Sequence, residues 1–246
     1  MRPETKSAWT ALWLAAAPLA ANGLGFALGL AWLLPVLGAG VAFPVFLDRV
    51  RAGRFTGAFG WMLFWVVFQS AAVIALMTAF PERAAHAVHR GPEYAAEMLH
   101  WVRTGVGAEG SPRLFLPVHA AHFAAFCALT ALTAGAAGLV LGTWLLNYMN
   151  YYVVTLTLES ADPLTAALMG WHPWAVLRVV GYIATATALA AVTVRRVRRR
   201  RGGRDPHALP LGLLATGFVL VVIDAIVKAL LAPAWREGLL RALGTG

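Results

Sequence analysis

Apolar residues in this chain come in long runs, not in the short alternating segments of a sheet. Residues 8–47 form one run, about twice the roughly 20 residues that a single bilayer crossing takes. Asn22-Gly23 and Pro35 are its candidate breaks, so it reads as a helical hairpin or as one span plus a half-span. Runs at 55–80, 114–135, 138–159, 174–194 and 209–231 each have the length of one span. No stretch alternates as a lipid-facing barrel strand does. The pattern predicts an all-α fold, a polytopic transmembrane helical bundle of 6–7 spans making a single membrane domain. Gly138 and Gly142 stand four apart, a spacing that suits close helix packing.

The segments between the runs carry their own signals. Residues 81–113 are the long polar stretch, and Gly91-Pro92 divides it into two short helices, read as an amphipathic extracytoplasmic cap. Tyr94, Met98 and Trp101 form an apolar stripe expected to lie in the outer interface. Asp162-Pro163 starts and Gly170 stops a short interfacial or re-entrant helix at 163–169. Trp171, His172, Pro173 and Trp174 mark a membrane boundary. Asp205-Pro206 turns the chain, and residues 235–243 read as a separate amphipathic helix after the last span.

Composition agrees with membrane solvent: 60% hydrophobic and 13% charged residues lie outside the soluble range. The net charge of +9 resembles a nucleic-acid signature until it is located. Residues 195–204, RRVRRRRGGR, hold seven arginines in ten positions, and Arg49, Arg51 and Arg54 form a second cluster after the first run. Both flank spans, so the reading is positive-inside anchoring in a bacterial-type cytoplasmic membrane, with the 195–207 loop cytoplasmic and near anionic lipid, and with no nucleic-acid partner. Other membrane or soluble subunits are further expected partners. Arg2 and Lys6 ahead of AWTALWLAAAPLAA resemble a signal peptide, but the apolar run continues to Leu47, which favours an uncleaved anchor. The single Cys127 excludes an intrachain disulfide and a cysteine metal cage.

Polar residues at interior depth narrow the function. Asp224 and Lys228, four apart in the last span, read as an ion pair that is either structural or ion-coupling. The 138–159 span carries Asn147, Tyr148, Asn150, Tyr151, Tyr152 and Glu159, too many hydrogen-bonding groups to face lipid all round. Such a helix sits centrally, lining a path or gluing neighbours together. Arg178, one turn into its span, is the expected partner of Glu159 or Asp162.

A second cluster lies at the other polar sites. Glu82, His86 and His89 fall on one helix face, and Glu93, Glu97 and His100 repeat the same steps. With His119, His122 and His172 at a similar depth, these carboxylates and imidazoles have the chemistry to hold a transition metal or a haem. The alternative is a solvated polar face. GK[ST] loops, G-x-S-x-G and H-E-x-x-H are absent. Three functions remain: a permease-type transport component for a small solute or ion, a metal- or haem-binding redox protein, and a non-catalytic scaffold or accessory subunit.

Overall fold

A computed structural model describes residues 3–203 and 207–244. Arg2, the Lys6 side chain, Arg204 and the expected Asp205-Pro206 turn lie outside the described residues. Those described are all-helical, without a strand: α1 (Pro3–Leu28), α2 (Leu33–Arg51), α3 (Phe55–Ala79), α4 (Pro81–Ala87), α5 (Gly91–Thr104), α6 (Pro112–Thr133), α7 (Ala136–Glu159), α8 (Pro163–Gly170), α9 (Pro173–Arg200) and α10 (Leu211–Leu243). Six stretches are long and apolar enough to cross a membrane, namely α1 from Ser7, α2, α3, α6, α8 with α9, and α10. By length and composition they are candidate spans, consistent with an integral membrane protein. At 24 residues α7 is as long as these, but its asparagines and tyrosines make it too polar to count among them. It is instead sheltered by α2, α3, α5, α6 and α8.

Residues 8–47 form two helices, and neither expected break is used. The chain turns between Leu28 and Leu33, where Gly29 takes a φ of 64° that other residues resist. Asn22-Gly23 stays helical because Asn22 points inward and is satisfied there. Its amide exchanges two hydrogen bonds with Gln69 of α3, at 2.9 and 3.1 Å, and also donates to the Pro18 carbonyl at 2.7 Å. Pro35 falls in the first turn of α2, where a missing N–H removes no helical bond.

Glycines set how closely the helices approach. A Cβ on Gly38 of α2 would stand 2.8 Å from Gln69 Nε2, so only glycine leaves room for the buried amide pair. Gly138 lies against Thr130 of α6, in keeping with its small-residue spacing. Gly181 of α9 and Gly217 of α10 meet backbone to backbone, a Cβ on Gly217 falling 2.8 Å from the Gly181 carbonyl and 2.2 Å from Thr185 Oγ1.

Two helices run further than their apolar patterns suggest. α10 continues without a break through Pro233 to Leu243, so residues 235–243 are its extension and not a separate helix. Its 33 residues span about 50 Å, well beyond the roughly 30 Å hydrocarbon layer. α9 stays helical through the arginines to Arg200, so most of the basic run is a helix end, where cations suit the dipole, and not a loop. Both basic clusters lie at this end of the bundle: Arg198 donates to the Arg51 carbonyl at 2.6 Å, and His207 sits against Gly53.

Gly217→Val is expected to force α9 and α10 apart and destabilise the protein by about 1–3 kcal/mol. Gly212→Val, on the same helix with open space around its Cβ, is the control. Thermal unfolding of the two variants in mild detergent measures the difference, and equal midpoints contradict the packing assignment.

Candidate functional site

The site is assembled at the end of the bundle opposite the arginines, starting from a carboxylate that comes from a loop. After α5 the chain turns through Gly105 and Gly107, with φ of 77° and 149°, into a 3-10 turn at Ala108–Gly110. Gly110 lies so close to Trp101 Nε1 that a Cβ there would be 2.8 Å away. These glycines let the turn fold inward and bury Glu109.

Glu109 gathers three side chains around its two oxygens. Its Oε2 accepts from Lys228 Nζ of α10 at 2.7 Å, and its Oε1 accepts from Trp174 Nε1 of α9 at 2.9 Å. His172 Nδ1 stands 4.0 Å from the same Oε1, with its ring stacked on Trp174 at 4.6 Å. Lys228 also places its ammonium 4.4 Å from the centre of the Phe115 ring of α6. Burial pushes the Glu109 carboxyl up, but Lys228, then His172 and Arg178, outweigh it and hold the group below its ordinary value.

Asp224 has a different partner. Arg178 of α9 grips it with a fork, Nε to Oδ2 at 2.8 Å and a second nitrogen to Oδ1 at 2.9 Å. The expected Asp224–Lys228 pair is therefore replaced by two pairs between elements, because α9 and the loop carry the better-placed opposite charges. Arg178 correspondingly does not meet Glu159 or Asp162. Glu159 pairs with Arg103 at the surface, and Asp162 caps α8 by accepting from Thr165 N at 3.1 Å and Thr165 Oγ1 at 2.6 Å.

Next to these pairs lies a cavity of about 600 Å³ walled by α3, α5, α6, α7, α9 and α10. Arg178, Lys228 and Glu109 reach its wall, together with His119, His122, Tyr94 and Tyr148. His89, Arg90 and Glu97 stand at its exposed end, with Arg90 and Glu97 3.7 Å apart. Tyr94 donates to Met149 Sδ at 3.7 Å, and burial, followed by the nearby Glu109, raises its pKa well above normal so that it remains a phenol. Several polar atoms on this wall have no hydrogen-bond partner: Trp65 Nε1, Trp144 Nε1 and His119 Nδ1.

The remaining candidates divide between surface and core. His86, Glu93 and His100 are exposed, as are His89 and Glu97. Among the described residues no three His, Cys, Asp or Glu side chains come together as a metal ligand set. His119 and His122 share one face of α6, and one face cannot supply both axial positions of a haem. The α5 stripe expected at a lipid interface packs instead into the protein, where Met98 and Trp101 join Tyr152, Val153 and Leu239. On α7, Asn147 and Asn150 are buried with both amides unpaired, as is the Tyr152 hydroxyl. Tyr151 is half-buried against Gly91. None of these four residues lines the cavity, whereas Tyr148 does.

Glu109 is the member of the candidate site that the sequence does not single out. Its one available signal was arithmetic: Arg178, Asp224 and Lys228 leave one cation unmatched, and Glu109 stands in a glycine-rich turn beside a helix start. No family model, curated protein or solved structure matches the chain, so function has to be read from this geometry.

Glu109→Gln is expected to cost about 3–5 kcal/mol at neutral pH by leaving Lys228 buried without a counter-charge. The wild-type contribution is present above the unfolded carboxyl pKa of about 4.3 and is lost as pH falls through the depressed folded value. Unfolding in detergent between pH 7 and pH 3 should show an acid destabilisation in the wild type that is smaller in the variant. Parallel curves contradict the pairing.

Proposed function

We propose that this protein is a permease-type transport component whose solute site is the cavity beside the Glu109–Lys228 and Asp224–Arg178 pairs. The observation that carries the reading is a cavity of about 600 Å³ inside the bundle, within the roughly 300–1,000 Å³ of small-molecule sites, with charged groups and unpaired polar atoms on its wall. Ionisable residues at such depth are costly even when paired, and where they occur they mark solute or ion paths by default. The polar face of α7 has a smaller part than its composition implies, since only Tyr148 of its tyrosines and asparagines reaches the wall.

In this reading α7 is a seventh span, shielded from lipid by its neighbours. The arginine-bearing ends of α2 and α9 are cytoplasmic, where anionic headgroups meet them, and the cavity opens outward. α4 and α5 then form the outer cap. Further membrane or soluble subunits are partners of such a component.

Flux through proteoliposomes tests the function. Vesicles loaded with a mixture of small sugars, amino acids and monocarboxylates should lose one class selectively when they contain the protein. Gly142→Leu should abolish the loss, because Gly142 lines the cavity and a branched side chain there fills it. No selective loss from wild-type vesicles, or equal flux through a correctly inserted Gly142→Leu, rejects the reading in favour of a scaffold role. Sidedness has a separate test in a Cys127→Ala background: Gly202→Cys should react with impermeant maleimide only from the cytoplasmic side and Glu93→Cys only from outside.

A further inference from the structure

The chemistry of the cavity wall changes along its length. One part of the wall carries Arg178, Lys228 and Glu109, the last two buried. Further along α9 come Tyr182, Ile183 and Ala186, facing Phe126 and Leu139 in the apolar core. From Arg178 to Ala186 is eight residues of helix, about 12 Å. One end of the space is thus polar and the other is hydrocarbon-like.

The polar atoms left unpaired on this wall are chiefly donors. Trp144 Nε1 has no acceptor, and neither has Trp65 Nε1, which lies deeper, in the apolar cluster with Phe126, Leu139 and Ala186. Of the five N–H bonds of Arg178, two are committed to Asp224 and three make no hydrogen bond among the described residues. The carboxylate oxygens beside Arg178 and Lys228 are, by contrast, engaged, those of Asp224 by Arg178 and those of Glu109 by Lys228 and Trp174, while Glu97 stands apart at the exposed end, 3.7 Å from Arg90. Buried donors without acceptors are costly, and a ligand that supplies acceptors removes that cost.

We propose that the cavity binds an amphipathic molecule whose polar head only accepts hydrogen bonds, a carboxylate or a carbonyl, and whose apolar body lies toward Phe126, Leu139 and Ala186. The charges bear on selectivity. Asp224 balances Arg178 and Glu109 balances Lys228, so recognition comes from the exposed N–H groups and not from a net field. An ester carbonyl and a carboxylate therefore both bind. An ammonium in place of that head meets the Arg178 and Lys228 cations, with the neighbouring carboxylates of Asp224 and Glu109 already engaged, and is excluded. This inference rests on the cavity being the solute site proposed above.

Bromine quenching of tryptophan fluorescence tests it, with the full chain in detergent micelles and 9,10-dibromostearate, its methyl ester and the corresponding dibrominated primary amine as probes. The quenching that belongs to the cavity is the part lost in Trp65→Phe/Trp144→Phe. The expected result is saturable quenching by the acid and the ester, none by the amine, and loss of the effect in Gly142→Leu. Replacing the ion pair by an amide pair, Arg178→Gln/Asp224→Asn, should weaken binding of the acid by about tenfold or more. Equal quenching by all three heads, or no saturable component with any, overturns the proposal. If the amide-pair variant fails to fold, Gly142→Leu still decides, because it touches neither ion pair. Selective flux of a hydrophilic solute without amphiphile quenching overturns this inference and leaves the transport reading standing. Amphiphile quenching without any flux does the reverse.

Discussion

An ammonium group enclosed by apolar helices must find a carboxylate, and Lys228 finds Glu109. Much of the architecture at that end of the bundle follows from that one requirement. Glu109 has to be carried inward from a connecting segment, which the glycines at 105, 107 and 110 make sterically feasible. Once in place it binds Trp174 as well as Lys228 and approaches His172, so the connection is pinned to α9 and α10 together. The Arg178–Asp224 fork ties the same two helices about one turn further along α10. Losing either partner strands a buried charge, which makes the two pairs act as joint fasteners and not as independent surface contacts.

Elsewhere the bundle solves the same problem with neutral groups and small residues. The Asn22–Gln69 amide pair joins α1 to α3 within the space left by Gly38 of α2. Gly181 and Gly217 bring α9 and α10 into backbone contact, which holds the two helices near enough for the Arg178–Asp224 fork. α7 carries more hydrogen-bonding groups than a lipid-facing helix tolerates, and its neighbours on several sides remove it from that environment.

α6 explains why a cavity survives among such closely packed helices. It packs on α7 and α9 and on the Glu109 turn, while Leu114, Leu116, Val118 and Leu132 remain exposed. Phe115 and Phe126 are its buried anchors at the two ends of the cavity, and His119 and His122 project between them. With Gly142 opposite Phe126, small volume on α7 leaves room beside the rings of α6. A space bounded this way has charge at one end and aromatic and aliphatic carbon at the other.

The sequence alone determined the membrane class, the helical fold, the apolar runs, the Asp162-capped α8 and the two basic clusters, which Arg198 joins at one end. Each of these follows from local composition, periodicity or capping, which act over a few residues. It also flagged Asp224, Lys228 and Arg178 as interior charges, yet their partners were decided only by tertiary packing. Four-residue spacing makes Asp224 and Lys228 neighbours on a helix, but Coulomb attraction depends on distance in space, and α9 and the Glu109 turn come closer. The break at Gly29, the unbroken α10, the dispersal of the histidines among the described residues and the withdrawal of Asn147 and Asn150 from the cavity were settled in the same way. Helix faces are legible along the chain, while which faces meet is set by how whole helices fit together.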